Sequence, residues 1–207
     1  MESLDEYTAR LASDAPVPGG GSAAAVVGAL GAALVAMVAR ICGANPKYGE
    51  YATDAHSIVA AADALRDELT AARGRDERAF AEVVAAQRLP KATPEERAAR
   101  TNALEAALRA AAEAPLEAAE TALRVLHLAA RVLKIPNRNL AGDAGCGAEF
   151  AFAALTACAY NVRVNHRYMR DEGAIAAQSE VLERYENEAA AMLAQVRTVV
   201  NAALARS

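Results

Sequence analysis

The sequence predicts an all-α fold: an up-and-down bundle of long antiparallel helices around a buried Ala/Gly-rich central helix. Ala supplies 57 of the 207 residues, and it is the best helix former and a poor strand former. Only seven Pro residues interrupt the chain, and no segment alternates apolar and polar residues with a period of two. These features exclude a β-sandwich or barrel, and we expect one helical domain over residues 1–207.

A glycine-rich turn separates the first two predicted helices. Ser3 to Glu6 forms a capping box that opens a short helix ending near Ser13. The turn over residues 15–22 leads into a second helix, which carries no charge over residues 22–39 and ends near Cys42. That run is marginal in length for a membrane span, and acidic rather than basic residues precede it. We therefore interpret it as the central helix of the bundle.

Gly, Pro and capping residues bound the remaining helices, which we expect over residues 48–89, 93–134 and 143–171 and after Gly173. Gly74 marks a candidate interruption of the third helix, and Pro115 kinks or divides the fourth. Thr93 to Glu96 is a second capping box, with Pro at the first helical position.

The last helix carries an apolar stripe in steps of three and four residues, formed by Leu182, Tyr185, Ala189, Met192, Val196, Val199 and Ala203. So narrow a stripe needs a partner helix, either within the bundle or from a second subunit. Together with the Ala-rich central helix it predicts a dimer.

Charge and composition narrow the classes of partner. The chain has 22 basic and 26 acidic residues and a net charge of −4, with no basic run, so nucleic acid is not an expected partner. The three Cys residues lack CxxC spacing and predict free thiols in a reducing cytoplasm. The three His residues lack the spacing of a zinc site, so we expect no metal.

Two of the three candidate functional patches begin helices. Gly19, Gly20 and Gly21 allow positive φ and close backbone approach, and with Ser22 they place free N–H groups where a helix dipole attracts an anion. The alternative is a flexible turn. The second patch runs from Asn137 to Gly145, where Asp143 is either a functional carboxylate or only an N-cap.

The third patch holds Asn161, Arg163 and Asn165 in a stretch rich in Ala and apolar residues. The two Asn residues share a helix face, so they need either a ligand or partners at a helix interface. Asp143 lies five turns before Asn161 on the same side, about 27 Å away along the axis. Either an elongated ligand or a dimer would bring both to one site.

Several motifs in order resemble the cyclodeaminase domain family of formiminotransferase-cyclodeaminase, which includes stand-alone bacterial methenyltetrahydrofolate cyclohydrolases. They are Pro18-Gly-Gly-Gly-Ser22, Asp76 to Phe80, Leu89 to Thr93 with Glu95 and Arg97, Pro115-Leu116, and Asn139-Leu140 through Asp143 to Asn161-Val-Arg-Val-Asn165. The resemblance covers about residues 3–205. The family usually has Ser-Asp in place of Gly142-Asp143, and commonly an apolar residue in place of His166.

The resemblance implies an all-α homodimer that binds a tetrahydrofolate derivative. The expected reaction is the hydrolysis of 5,10-methenyltetrahydrofolate to 10-formyltetrahydrofolate, which we favour because no transferase domain accompanies this chain. One alternative is formiminotetrahydrofolate cyclodeamination with release of ammonia. A second is a non-catalytic folate-binding helical module. We expect no cofactor beyond the tetrahydrofolate substrate.

Hydration of a methenyl cation needs a base for the water and a proton donor for the departing nitrogen. Asp143 is the first candidate for the base or for stabilising the cationic folate, and Asp76 is the second. Lys91 is a candidate proton donor or carboxylate ligand, or else a solvated loop residue. The expected substrate-binding residues are Gly19, Gly20, Gly21, Ser22, Asn139, Asn161, Arg163 and Asn165.

Overall fold

The computed structural model describes residues 2–205 and contains six α-helices there. Their bounds are α1 Leu4–Leu11, α2 Gly20–Ala44, α3 Ala52–Gln87, α4 Pro94–Val132, α5 Ala141–His166 and α6 Glu172–Leu204. Short 3₁₀ segments, Pro46–Tyr51 and Arg138–Leu140, precede α3 and α5. Residues 2–205 contain no strand, so the predicted all-α class is confirmed.

Both predicted capping boxes are present. The Ser3 hydroxyl accepts the Glu6 N–H, while the Glu6 carboxylate accepts the Ser3 N–H at 2.6 Å. Thr93 and Glu96 make the same reciprocal pair at the start of α4. These pairs satisfy N–H groups that a helix start would otherwise leave without an acceptor.

Three expectations about helix ends are corrected. α3 continues through Gly74 without a break, because a single Gly weakens a helix without ending it. α4 passes through Pro115 as one helix, and α5 ends at His166 rather than at Asp171. The helix count is therefore six, with α6 beginning directly after Asp171.

A side chain from α5 compensates for Pro115. Pro lacks an N–H group and so frees the carbonyl of the residue four positions earlier, Ala111. The Asn165 amide of α5 donates to that carbonyl at 2.9 Å. This bond satisfies the freed acceptor and ties the middle of α4 to the C-terminal end of α5.

The core surrounds α2, as the sequence predicted. Gly31 faces Gly147 of α5 so closely that a Cβ at Gly31 would lie 2.8 Å from the Gly147 carbonyl oxygen. The two helices are antiparallel, which brings the N-terminal end of α2 to the C-terminal end of α5. Among residues 2–205, α2 alone is long and apolar enough to cross a membrane, and 56% of its most apolar window is buried in the bundle.

The apolar stripe of α6 is used mainly inside the bundle. Leu182, Ala189 and Val196 are buried, and Tyr185 and Met192 pack against the core formed with the other helices. The partner helices that the stripe required are therefore α4 and α5 of the same chain. The stripe of α6 no longer supports the predicted dimer.

Candidate functional site

A cavity of about 220 Å³ lies where the N-terminal end of α2 meets α3, α4 and α5. It brings together five residues that the sequence predicted for the site: Gly19, Gly20, Asp76, Asn161 and Asn165. Phe80, Val164 and Ala111 supply apolar walls. The first and third predicted patches are thus parts of one site, although about 140 residues separate them in the chain.

Asp76 is the acidic group of the cavity, and its carboxyl lies against the first turn of α2. A Cβ at Gly21 would overlap the Asp76 carboxylate, and a Cβ at Gly20 would lie 3.3 Å from the Asn161 amide nitrogen. No glycine in residues 2–205 has positive φ, so the expectation of positive φ is wrong. The glycines at positions 20 and 21 instead leave room for the side chains of Asp76 and Asn161.

Burial raises the pKa of the Asp76 carboxyl above its ordinary value, the Ser22 N–H lowers it, and the neighbouring Glu77 charge raises it again. The net shift is upward. The helix N-terminus that we expected to hold a substrate anion thus already serves a carboxylate of the protein. A partly desolvated carboxyl with a raised pKa in a cavity is a candidate proton-transfer group.

Ser22 itself does not face the cavity. Its side chain is fully buried, and its hydroxyl bonds to the Tyr7 hydroxyl at 2.9 Å and to a Glu77 carboxylate oxygen at 3.0 Å. Gly21 is also buried beneath Asp76. Both residues therefore support the wall of the cavity without lining it.

Asn161 and Asn165 have their amide groups fixed by the backbone. Asn161 Nδ2 donates to the Ala157 carbonyl at 2.8 Å, and Asn165 Nδ2 donates to the carbonyls of Ala111 and Asn161. Neither Oδ1 has a hydrogen-bond donor among residues 2–205. Each Asn therefore combines an interface role with an acceptor that remains available at the cavity.

Cys158 is the nearby thiol, on the face of α5 that points into the bundle. Burial raises its pKa to about 12, and the charge of Asp76 adds to that shift. The thiol is therefore neutral at physiological pH and is not a nucleophile.

The second predicted patch lies at the opposite end of α5. Asn139 is exposed in the 3₁₀ segment, and Asp143 is the third residue of α5. The N-cap position belongs to Leu140 and has no side-chain cap, so the N-cap alternative for Asp143 is wrong. Within one chain, neither residue lines the cavity that contains Asp76. A Cβ at Gly142 would meet nothing within 4 Å, so the serine common in the family fits there.

Lys91 and Arg163 also lie outside this cavity. Lys91 is exposed in the α3–α4 loop, beyond a helix end that is about 16 Å from Asp76 along α3. Arg163 points to α6, where its guanidinium binds both carboxylate oxygens of Glu186 at 2.9 and 2.6 Å. The predicted roles of both residues remain predictions without support from this geometry.

Sequence reasoning missed the functional placement of Tyr7, Glu77 and Phe80. Asp76 and Phe80 are four residues apart and share one helix face, a spacing that would have found Phe80. No local pattern identifies Tyr7, because its contact with Ser22 depends on how α1 folds back over α2.

Three larger cavities contain none of the predicted site residues. One of about 460 Å³ lies between the C-terminal halves of α4 and α6, one of about 300 Å³ lies between the N-terminal half of α5 and the C-terminal end of α6, and one of about 270 Å³ lies between α4 and the N-terminal half of α6. The cavity at Asp76 therefore remains the candidate site.

Comparison with known proteins agrees with the resemblance of the motifs. The model of the family described as formiminotransferase-cyclodeaminase matches residues 3–184. A methenyltetrahydrofolate cyclohydrolase of Methylorubrum extorquens is 38% identical over 92% of each chain. A formimidoyltransferase-cyclodeaminase of Rattus norvegicus is 32% identical over 82% of this chain, which matches 31% of that longer protein.

A solved structure shares the whole architecture. The crystal structure of a formiminotetrahydrofolate cyclodeaminase from Thermotoga maritima superposes with a TM-score of 0.87. It is 28% identical in sequence, and the match covers 97% of this chain and 96% of the other. Fold, motif order and sequence identity agree over almost the full length, and the chain belongs to the formiminotransferase-cyclodeaminase family.

Proposed function

We propose that this protein is a methenyltetrahydrofolate cyclohydrolase, which converts 5,10-methenyltetrahydrofolate and water to 10-formyltetrahydrofolate. The observation that carries the proposal is the partly buried Asp76 carboxyl, with its raised pKa, in a cavity that also holds Asn161. Of the relatives described above, the cyclohydrolase shares the highest identity, and it matches this chain over nearly the full length of both.

The chemistry assigned to Asp76 follows from the charge of the substrate. The methenyl bridge is cationic, so a carboxylate beside it stabilises the bound ring and accepts a proton from the attacking water. The tetrahedral carbon then loses its bond to one ring nitrogen, and the protonated carboxyl returns the proton to that nitrogen. The hydroxyl on the same carbon releases its proton to solvent as the formyl C=O forms, so the reaction releases one proton overall. One group thus serves as base and then acid, without a covalent intermediate.

The cavity holds only part of an elongated ligand. Ligand pockets commonly measure about 300–1,000 Å³, whereas this one measures about 220 Å³. We place the ring portion of the folate against Phe80 and Val164, with Oδ1 of Asn161 and Asn165 accepting from its N–H groups. The remainder of the substrate extends past the mouth of the cavity.

Cyclodeamination is the second candidate, favoured by the named activity of the Thermotoga maritima structure. Attack of a folate nitrogen on a formimino carbon passes through a related tetrahedral centre, so Asp76 would serve it equally. Near-ultraviolet absorbance separates the two reactions. Hydrolysis removes the methenyl chromophore, whereas deamination of the formimino compound forms it.

We expect the protein to remove the chromophore of the methenyl substrate, and we expect Asp76→Asn to slow that reaction by about 10²-fold or more. If the chromophore forms instead from the formimino compound, the cyclodeaminase candidate replaces the first. If the protein binds tetrahydrofolate and catalyses neither reaction, the remaining interpretation is a non-catalytic folate-binding module.

The homodimer proposal rests on an exposed apolar stripe of α5. Phe150, Ala153, Tyr160 and Val164 follow one another in steps of three, seven and four residues, with Tyr160 63% and Val164 58% exposed. The stripe adjoins α2, whose Leu30 is also exposed. Apolar surface of this length marks an association site.

A second copy of this chain is the occupant that fits the stripe. If two α5 helices pair antiparallel about residue 155, the facing pairs are Phe150 with Tyr160, Ala153 with Ala157, and Cys146 with Val164. The same register places Asp143 of one copy opposite Arg167 of the other, and neither side chain has an ion-pair partner among residues 2–205. The stripe is therefore complementary to itself in size and in charge.

Light scattering tests the dimer directly. At micromolar concentration we expect twice the mass of the chain, and we expect the monomer mass for Phe150→Glu, which buries a charge in the interface. Glu180→Gln, an exposed change on α6, serves as the control. A monomeric parent protein would contradict this proposal. Cytoplasmic location and the lack of a cofactor beyond the folate remain predictions from the sequence.

A further inference from the structure

Three side chains behind the cavity form one chain of hydrogen bonds. The Ser22 hydroxyl has one proton, which it donates to the Glu77 carboxyl at 3.0 Å, so it accepts from the Tyr7 hydroxyl at 2.9 Å. Ser22 is fully buried, and 3% of Tyr7 is exposed. The Arg73 guanidinium lies 4.9 Å from the centre of the Tyr7 ring and helps to hold α1 in place.

Ser22 is thereby held at two points by adjacent residues of α3. Its hydroxyl donates to Glu77, and the Asp76 carboxyl lies against the same turn, so close that a Cβ at Gly21 would overlap it and that the Ser22 N–H lowers its pKa. Any rotation or shift of the first turn of α2 that weakens the first contact also moves the N–H away from Asp76. The position of the Asp76 carboxyl is thus coupled to a network that never touches the cavity.

We propose that Tyr7 and Glu77 are positioning residues that act through Ser22 to hold the Asp76 carboxyl in its reactive place. This inference rests on the function proposed for Asp76. It predicts that altering Tyr7 or Glu77 changes turnover and its pH dependence, whereas a purely structural network would change only the unfolding temperature.

The charged and titratable groups around this carboxyl come from several helices. Glu77 and Arg73 belong to α3, Tyr7 and Arg10 come from α1, and Cys158 comes from α5. Arg10 lies 3.4 Å from the Glu77 carboxylate. From α4, the wall of the cavity at this point is the uncharged Ala111.

Glu77→Gln tests the effect of the Glu77 charge apart from that of its hydrogen bond, because glutamine keeps an acceptor for Ser22 and removes the negative charge beside Asp76. A base must be ionised to act, so activity falls as the pH drops through the pKa of Asp76. Loss of the Glu77 charge lowers that pKa. We expect the acidic limb of kcat/KM to move to lower pH by about half a unit while the plateau stays within about threefold. Glu82→Gln, an exposed change on the same helix, should leave the limb in place.

Tyr7→Phe tests the geometric part, because it removes the hydroxyl and retains the ring beside Arg73. We expect kcat to fall by about tenfold with KM within about twofold, since small displacements of an acid–base group are costly. Glu77→Leu, which removes the acceptor as well, should match that loss. Tyr51→Phe, at the opposite end of the bundle, is the control and should not change kcat.

Asp76→Asn is measured together with these variants, so that a failure of the positioning inference can be distinguished from a failure of the proposed function. Loss of turnover in Asp76→Asn supports the proposed function. If, in addition, Glu77→Gln leaves the acidic limb in place, or Tyr7→Phe keeps kcat within about twofold, the positioning inference is wrong while the proposed function stands. If Asp76→Asn turns over like the parent enzyme, the role of Asp76 is wrong and the inference falls with it.

Discussion

The two ends of α5 carry similar sequence signals and meet different surroundings. At the C-terminal end, Asn161 and Asn165 converge with Asp76 and the first turn of α2 on one cavity. At the N-terminal end, Asn139 is exposed in the 3₁₀ segment and Asp143 is half-exposed in the first turn of α5, and neither shares a cavity with another predicted site residue. A shared helix face is therefore insufficient to make a site. Only the C-terminal end of α5, which four helices enclose, contributes to the candidate site.

Asp76→Asn should produce the largest effect of any change at the enclosed end. Asparagine keeps the size of the side chain and cannot accept the proton, so turnover should fall by about 10²-fold or more. The unfolding temperature should not fall, because a neutral group is favoured where burial raises the pKa of a carboxyl. Steady-state kinetics and a thermal melt on the same preparation check both expectations. If turnover stays within a few-fold of that of the parent enzyme, Asp76 is not the base, and Asp143 becomes the candidate.

The sequence predicted the helices well because their signals are local. Two capping boxes, the Ala-rich composition and the glycine turn each act within a few residues. The continuity of α4 through Pro115 was not predictable, because the donor that compensates for the proline is Asn165, which is 50 positions away. The site was predicted in part: Asp76 and the two Asn residues were named, but their convergence depends on the α2–α5 crossing at Gly31 and Gly147.

Gly21→Ala tests whether the glycines serve the protein's own carboxylate. The new Cβ overlaps Asp76, so the carboxyl must move, and we expect turnover to fall by at least about tenfold. Gly49→Ala adds a Cβ that meets nothing within 4 Å and should leave activity unchanged. Equal activity of Gly21→Ala would mean that Asp76 works from a different position.

Asn165→Ala should cost stability through Pro115. Loss of the amide leaves the Ala111 carbonyl without its donor, at a cost of about 1–2 kcal/mol in the free energy of unfolding. Pro115→Ala restores a backbone N–H that can reach that carbonyl, so the same Asn165 change should cost less than half as much in that background. A double-mutant cycle by denaturant titration measures the coupling. Equal costs in both backgrounds would show that the two residues act independently.

Asp143→Asn should give the smallest effect, because we expect the N-terminal end of α5 to contribute to association rather than to chemistry. In the proposed dimer the change removes two symmetric ion pairs between Asp143 and Arg167. Exposed pairs contribute about 0.2–1 kcal/mol each, so the dimer dissociation constant should rise about fivefold while the chain folds as before. Arg167→Gln should have the same effect, and the double variant should be no worse than either single change.

Kinetics at two protein concentrations separate association from chemistry at Asp143. Well above the dissociation constant the variant is dimeric, and turnover should then lie within about threefold of the parent. Near the dissociation constant, turnover should fall further only if the dimer is the active form. A loss of about 10²-fold that persists at high concentration is the size expected of a proton-transfer group. Asp143 would then act on substrate at the cavity of the second copy, and the two ends of α5 would form one site across the dimer.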